Sequence, residues 1–167
     1  MSRNTLKKIS KFKQKEKRRP TSTAETNTFY GEQITNGGFE TGNLNGWTHH
    51  AGSVKTLSKR TGTWGAYIGY IGDYIQQTLN VPVDGITSFS LWFKWLNTWP
   101  SNFDVIITYS DTSTTTISRI GLTAWQEVDI LPLLDAGKTI TQLKILKTTN
   151  NYGLDLDDIS LIGWEGE

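Results

Sequence analysis

Asn36-Gly37-Gly38-Phe39-Glu40-Thr41-Gly42-Asn43-Leu44-Asn45-Gly46-Trp47 is the stretch on which the reading of this chain turns. It holds four glycines and three asparagines beside two aromatics and one carboxylate. A solvated linker would not carry Phe39 and Trp47. A plain strand would not carry so many glycines, which accept φ > 0 without a Cβ penalty. The segment therefore reads as a folded, turn-rich entry to a β-domain, anchored by its two rings.

Downstream, the side-chain period is that of strands. Ser88–Trp95 sets Phe89, Leu91, Phe93 and Trp95 on one face and Ser90, Trp92 and Lys94 on the other. Phe103–Tyr109 alternates in the same way, and Ile75, Gln77 and Leu79 alternate against Gln76 and Thr78 within Tyr74–Val81. Val54–Leu57, Ala66–Ile71, Thr114–Ile120, Gln126–Ile130, Gln142–Lys147 and Leu154–Ile162 complete the expected strands, with Leu131–Gly137 as the one helical turn. Short strands with a turn signal about every ten residues predict an all-β sandwich or barrel. The domain is assigned to residues 28–167.

Composition agrees. The 167 residues include seven Trp, six Tyr and six Phe, a balance that favours strands. Cysteine is absent, which removes disulfides, thiolate metal sites and thiol catalysis. No apolar run approaches the roughly 18 residues of a membrane-spanning helix.

The net charge of +1 conceals a segregation. Residues 1–20 carry nine basic side chains (Arg3, Lys7, Lys8, Lys11, Lys13, Lys15, Lys17, Arg18 and Arg19) against Glu16 alone. The remainder carries eight basic and fifteen acidic side chains. Residues 1–27 thus read as a flexible basic arm and polar linker, since one short apolar stripe amid so much charge cannot fold alone. Such an arm suits nucleic acid, held by phosphate neutralisation, or self-association with neighbouring subunits. It has no apolar stretch of the secretory kind, so synthesis in the cytoplasm is expected, with a virion or a surface as the destination.

Several pieces then occur in a familiar order. Asn-Gly-Gly-Phe-Glu-x-Gly-x-Leu-x-Gly-Trp resembles the first strand of galactose-binding-like β-jelly rolls, the type of bacterial and archaeal carbohydrate-binding modules. Thr61-Gly62-Thr63-Trp64-Gly65-Ala66-Tyr67 is similar to their second-loop segment. Gln76-Gln77-Thr78-Leu79 and Ser90-Leu91-Trp92-Phe93-Lys94 match the next two strands, and Leu156-Asp157-Asp158-Ile159-Ser160-Leu161 the closing one. The resemblance spans residues 33–163 and implies the jelly-roll fold, a β-sandwich of two antiparallel sheets with about 8–10 strands.

Alternation places Asp157 on the face of Ile159 and Leu161. A carboxylate facing a core must be paired, hydrogen-bonded or metal-bound. The resemblance implies a structural calcium held by Glu40 with Asp157 or Asp158 and by carbonyls of the loop Ser58–Gly62, within the six to eight oxygens calcium takes. The other reading is a carboxylate paired with Lys59, Arg60 or a backbone turn.

Adjacent His49 and His50 point to opposite faces of a strand and cannot chelate together. No Ser-His-Asp set, phosphate loop, zinc spacing or glycosidase pair is present, so no enzyme is expected. For a ligand, Trp92 stands out. It shares a face with Ser90 and Lys94, and Asp104, Ile106 and Thr108 are expected on the matching face of the next strand. An indole amid polar groups suits a sugar, with Trp64, Tyr67, Tyr70, Trp99 and Tyr152 rimming the groove. Two functions follow: a non-catalytic glycan-binding module, or a structural component of a virion coat, decoration or fibre whose arm meets nucleic acid or a neighbouring subunit.

Overall fold

Eleven antiparallel strands build two sheets in the described part of the chain, which comprises residues 30–95, 102–149 and 152–164 of a computed structural model. In chain order they are β1 (Tyr30–Glu32), β2 (Thr48–His50), β3 (Ser53–Lys55), β4 (Gly65–Ile68), β5 (Tyr74–Pro82), β6 (Ser88–Trp95), β7 (Asn102–Tyr109), β8 (Thr114–Ile120), β9 (Gln126–Asp129), β10 (Thr139–Lys147) and β11 (Leu154–Trp164). One sheet runs β3-β4-β11-β6-β9, with β1 also on β11; the other runs β2-β5-β10-β7-β8. This is the jelly-roll sandwich that the resemblance implies. The basic arm, Arg3 to Arg19, lies outside the described residues.

The core forms where apolar alternation on the two sheets meets. Phe89, Leu91, Phe93 and Trp95 of β6 oppose Phe103, Val105, Ile107 and Tyr109 of β7, all buried. Phe93 and Phe103 meet edge to face at 4.8 Å between centroids, the arrangement aromatic quadrupoles favour. Each such side chain contributes roughly 1.5–3 kcal/mol through removal from water.

β6 and β8 have the expected bounds; others shift for local reasons. Val54–Leu57 is a strand only through Lys55, after which Thr56–Ser58 forms a 3₁₀ turn. Ala66–Ile71 ends at Ile68, because Gly69 and Tyr70 turn their N–H groups onto buried Asp73. Gln126–Ile130 stops at Asp129, and the expected helix Leu131–Gly137 shrinks to the 3₁₀ turn Leu131–Leu133. Gln142–Lys147 begins earlier, at Thr139, with an irregularity between Ile140 and Gln142. β1 and β2, three residues each, carry too little pattern to be anticipated.

The opening stretch fills the gap on β11 between its partners β4 and β1. Leu161 accepts from the Gln33 N–H and Ile159 donates to the Gly37 carbonyl, so the stretch runs as an irregular continuation of β1. A Cβ on Gly37 would lie 1.9 Å from the Ile159 carbonyl oxygen, which makes glycine obligatory there. Phe39 and Trp47 sink into the core with centroids 5.8 Å apart, and the Trp47 indole N–H donates to the Asn36 carbonyl. Buried Gln77 pins the stretch from the other sheet, accepting from the Thr35 N–H and donating to the Thr35 and Gly46 carbonyls.

One expectation about a face is corrected. Asp157 does not share a face with Ile159 and Leu161. The β11–β6 register slips between Asp157 and Ser160, and Asp158 adopts φ 46°, a β-bulge that reverses the alternation. Asp157 pairs across from Trp92, and both project away from the core.

Candidate functional site

The carboxylates at the bulge grip one loop. Asp157 Oδ2 accepts from the N–H groups of Arg60 and Thr61 at 2.7 and 3.1 Å, and its Oδ1 accepts from Asp158 N–H. Glu40 accepts from the N–H groups of Thr63 and Trp64. Asp158 takes the Arg60 guanidinium at 2.6 Å and the Thr61 hydroxyl at 2.7 Å. Burial pushes the Asp157 carboxyl above its ordinary range, while the three N–H bonds oppose that rise and the Asp158 charge adds to it. The structure thus brings Glu40, Asp157 and Asp158 to one place, but the donor set does not fit a calcium ion. The loop turns backbone N–H groups, not carbonyls, toward these carboxylates, and the guanidinium supplies the cation. The pairing with Arg60 and a backbone turn is the arrangement observed.

Trp92, Lys94 and Tyr67 share the outer face of the six-stranded sheet with two buried carboxylates. Asp157 lies across from Trp92, while Asp155 pairs with Lys94 on one side and Tyr67 on the other. Cations cover the rings: Arg60 lies 3.6 Å from the centroid of the Trp92 ring, Lys55 3.2 Å from Tyr67, and Lys94 5.0 Å from Trp125. Asp155 is sealed beneath them with neither oxygen hydrogen-bonded and Lys94 Nζ 3.7 Å away. Burial raises its pKa; the nearby Ser58 hydroxyl, without well-formed hydrogen-bond geometry, and Lys94 and Lys55 oppose the rise. Tyr67 is raised too, by burial and then by Asp155.

The neighbours expected for Trp92 are elsewhere. Asp104, Ile106 and Thr108 belong to β7 of the other sheet, because β6 and β7 are joined by a crossover rather than a hairpin. Trp64 also leaves the face: half-buried, it packs against the core, and a Cβ on Gly42 would touch its ring at 3.4 Å. Trp99 lies outside the described residues. Tyr70 and Tyr152 are exposed in the loops before β5 and β11.

The outer face of the five-stranded sheet was not anticipated. The registers arrange it in rungs across the strands. One reads His50, Tyr74, Leu146, Asp104, Ser118; the next Thr48, Gln76, Lys144, Ile106, Thr116; the third Thr78, Gln142, Thr108, Thr114. Tyr74 is half-buried and stacks on His50 at 6.2 Å, with Lys144 Nζ 4.1 Å from its centroid. His50 also approaches Asp73 at 3.3 Å. Amides, hydroxyls, two stacked rings, one lysine and one carboxylate thus form a continuous field on rigid strands. The polar half of each alternation was legible in the sequence; the strand order that joins them was not.

No family model matches this chain, and no curated protein matches it in sequence. Solved structures do match in fold. TmCBM61 in complex with beta-1,4-galactotriose superposes with a TM-score of 0.60 at 14% identity over 80% of this chain and 99% of that one. A family 16 carbohydrate-binding module gives 0.58 at 18% identity, over 77% and 98%. The enzymatically active domain of tailspike protein 4 of bacteriophage CBA120 gives 0.59 at 11% identity, over 80% of this chain and 21% of that one. The fold is therefore a β-jelly roll of the carbohydrate-binding-module kind.

Proposed function

We propose that the chain is a non-catalytic glycan-binding domain and that the outer face of its five-stranded sheet is the recognition surface. The observation that carries this reading is the set of rungs on that face. Carbohydrate recognition needs planar hydrogen-bonding groups at fixed spacing and one apolar surface for a sugar ring. Gln76, Gln142 and Asp104 supply the first, with threonine hydroxyls beside them, and Tyr74 the second. Strands hold these groups more firmly than loops would. The fold shared with carbohydrate-binding modules supports the reading. The six-stranded face suits it less, since the guanidinium over the Trp92 ring is tied down by Asp158 at 2.6 Å.

A structural role in an assembly is favoured by a different observation, the segregation of nine basic side chains into residues 1–20. One experiment separates the two. The full chain is applied to a glycan array beside Tyr74→Ala, Trp92→Ala and a form lacking residues 1–27. Glycan recognition predicts loss of signal for Tyr74→Ala and retention for the other two. Absence of any glycan signal from the full chain would overturn it. Signal lost only with the arm would favour the assembly role.

A further inference from the structure

We infer that the glycan taken by the five-stranded face carries an anionic group, a carboxylate or a sulfate, and that Lys144 holds it; this rests on the reading of that face proposed above. β10 is the middle strand of the sheet, and Lys144 sits in the middle rung, flanked by Gln76 on β5 and Ile106 on β7. It is the one lysine or arginine that the registers place on this face among the described residues.

Three other cations have carboxylate partners. Arg60 meets Asp158 at 2.6 Å, Lys94 meets Asp155 at 3.7 Å, and Lys138 meets Asp111 and Asp135 at 3.4 and 2.8 Å. Among the described residues no carboxylate comes within ion-pair distance of Lys144. The acid on the same face, Asp104, accepts the Ser118 hydroxyl at 2.7 Å instead. The Lys144 ammonium rests on the Tyr74 ring, 4.1 Å from its centroid.

A half-buried cation at mid-sheet without a counter-charge is complementary to an anion. A neutral sugar would have to displace the ammonium from Tyr74 and gain no ionic bond in return. An acidic sugar offers a charge-assisted hydrogen bond. The unbranched lysine stem lets the ammonium swing from ring to anion, and that movement bares the ring for the sugar's apolar face. The cross-strand amide of Gln76 is placed to donate to the same anion. Nucleic acid and anionic membranes are bound by many cations at once. A single cation among amides and hydroxyls, with Asp104 nearby, fits one anionic group on a mostly neutral ligand.

The test is calorimetry on the full chain with four probes: oligogalacturonate (carboxylate), a sulfated galactan oligosaccharide, β-1,4-galactotriose and xylohexaose. One acidic probe is expected to bind at least about tenfold tighter than either neutral one, the worth of a charge-assisted hydrogen bond. Lys144→Gln should remove that advantage, Lys144→Arg should keep most of it, and added salt should weaken only the acidic ligand. The basic arm is common to all three proteins, so their difference reports Lys144. An acidic preference that survives Lys144→Gln belongs to the arm and overturns the inference. Neutral probes that bind as tightly as the acidic ones, unchanged in Lys144→Gln, overturn it while leaving the glycan face in place. No binding by any of the four overturns both.

Discussion

Asp155 and Asp157 show how differently two neighbouring carboxylates can be enclosed. Both are fully buried on the outward side of β11, beneath a layer of side chains rather than in the core. Asp157 is saturated by three backbone N–H groups, whereas neither oxygen of Asp155 has a hydrogen bond. Asp157→Asn would set an amide N–H₂ against backbone donors, whichever way the amide is turned. It should cost about 1–3 kcal/mol, the penalty of unmatched buried polar groups, read from urea unfolding. Because N–H groups and Arg60 neutralise these carboxylates, melting with calcium or with chelator should give the same midpoint. A chelator-induced fall would restore a metal to the closure, since a native-state ligand raises stability by mass action.

At the scale of elements, β11 and the opening stretch act as one unit. The stretch must pass against the bulged part of β11, and at Gly37 it leaves no room for a Cβ beside the Ile159 carbonyl. Gly37→Ala would push a methyl into the Ile159 carbonyl and force one chain aside, an overpacking cost of about 1–3 kcal/mol or more. Circular dichroism melting checks it; an unchanged midpoint would mean that the approach is looser than 1.9 Å suggests. Gly37 also marks how far the sequence could be read. Its glycines, Phe39 and Trp47 announced a folded anchor, and Ser88–Trp95 declared its buried face through plain alternation. Asp157 was misplaced because alternation holds only while pairing is regular, and one bulge reverses every side chain beyond it. Trp92 was given the wrong neighbours because strand order depends on crossovers that no local pattern records. Arg60 on Trp92, 32 positions apart in sequence, follows from a loop folding back, which neither period nor propensity reports.

At the scale of the whole molecule the two outer faces are dressed differently. On the six-stranded face Arg60, Lys55 and Lys94 lie over the rings of Trp92, Tyr67 and Trp125, while on the five-stranded face Lys144 alone lies over a ring, that of Tyr74. Between the sheets, at the end where β6, β8 and β10 finish, sits Lys147, buried against the Trp95 ring at 4.5 Å and donating to the Thr149 carbonyl at 2.8 Å. Burial brings its pKa down from 10.5 to about 8, with Asp73 opposing the shift. Between about pH 8 and 10.5 the unfolded chain therefore holds a proton that the folded one has released. Global stability contributed at this residue should rise with pH across that window. Chemical denaturation of the wild type and Lys147→Met at pH 7.5, 9 and 10 checks it: the gap in stability between them should move in favour of the wild type as pH rises. A gap constant with pH would remove Lys147 from the account. A last consequence concerns force. β1 pairs antiparallel with the end of β11, Tyr30 opposite Trp164, so the described chain enters and leaves side by side. Tension applied between those two points loads the ladder one hydrogen bond at a time, as a zipper is opened, and meets little resistance.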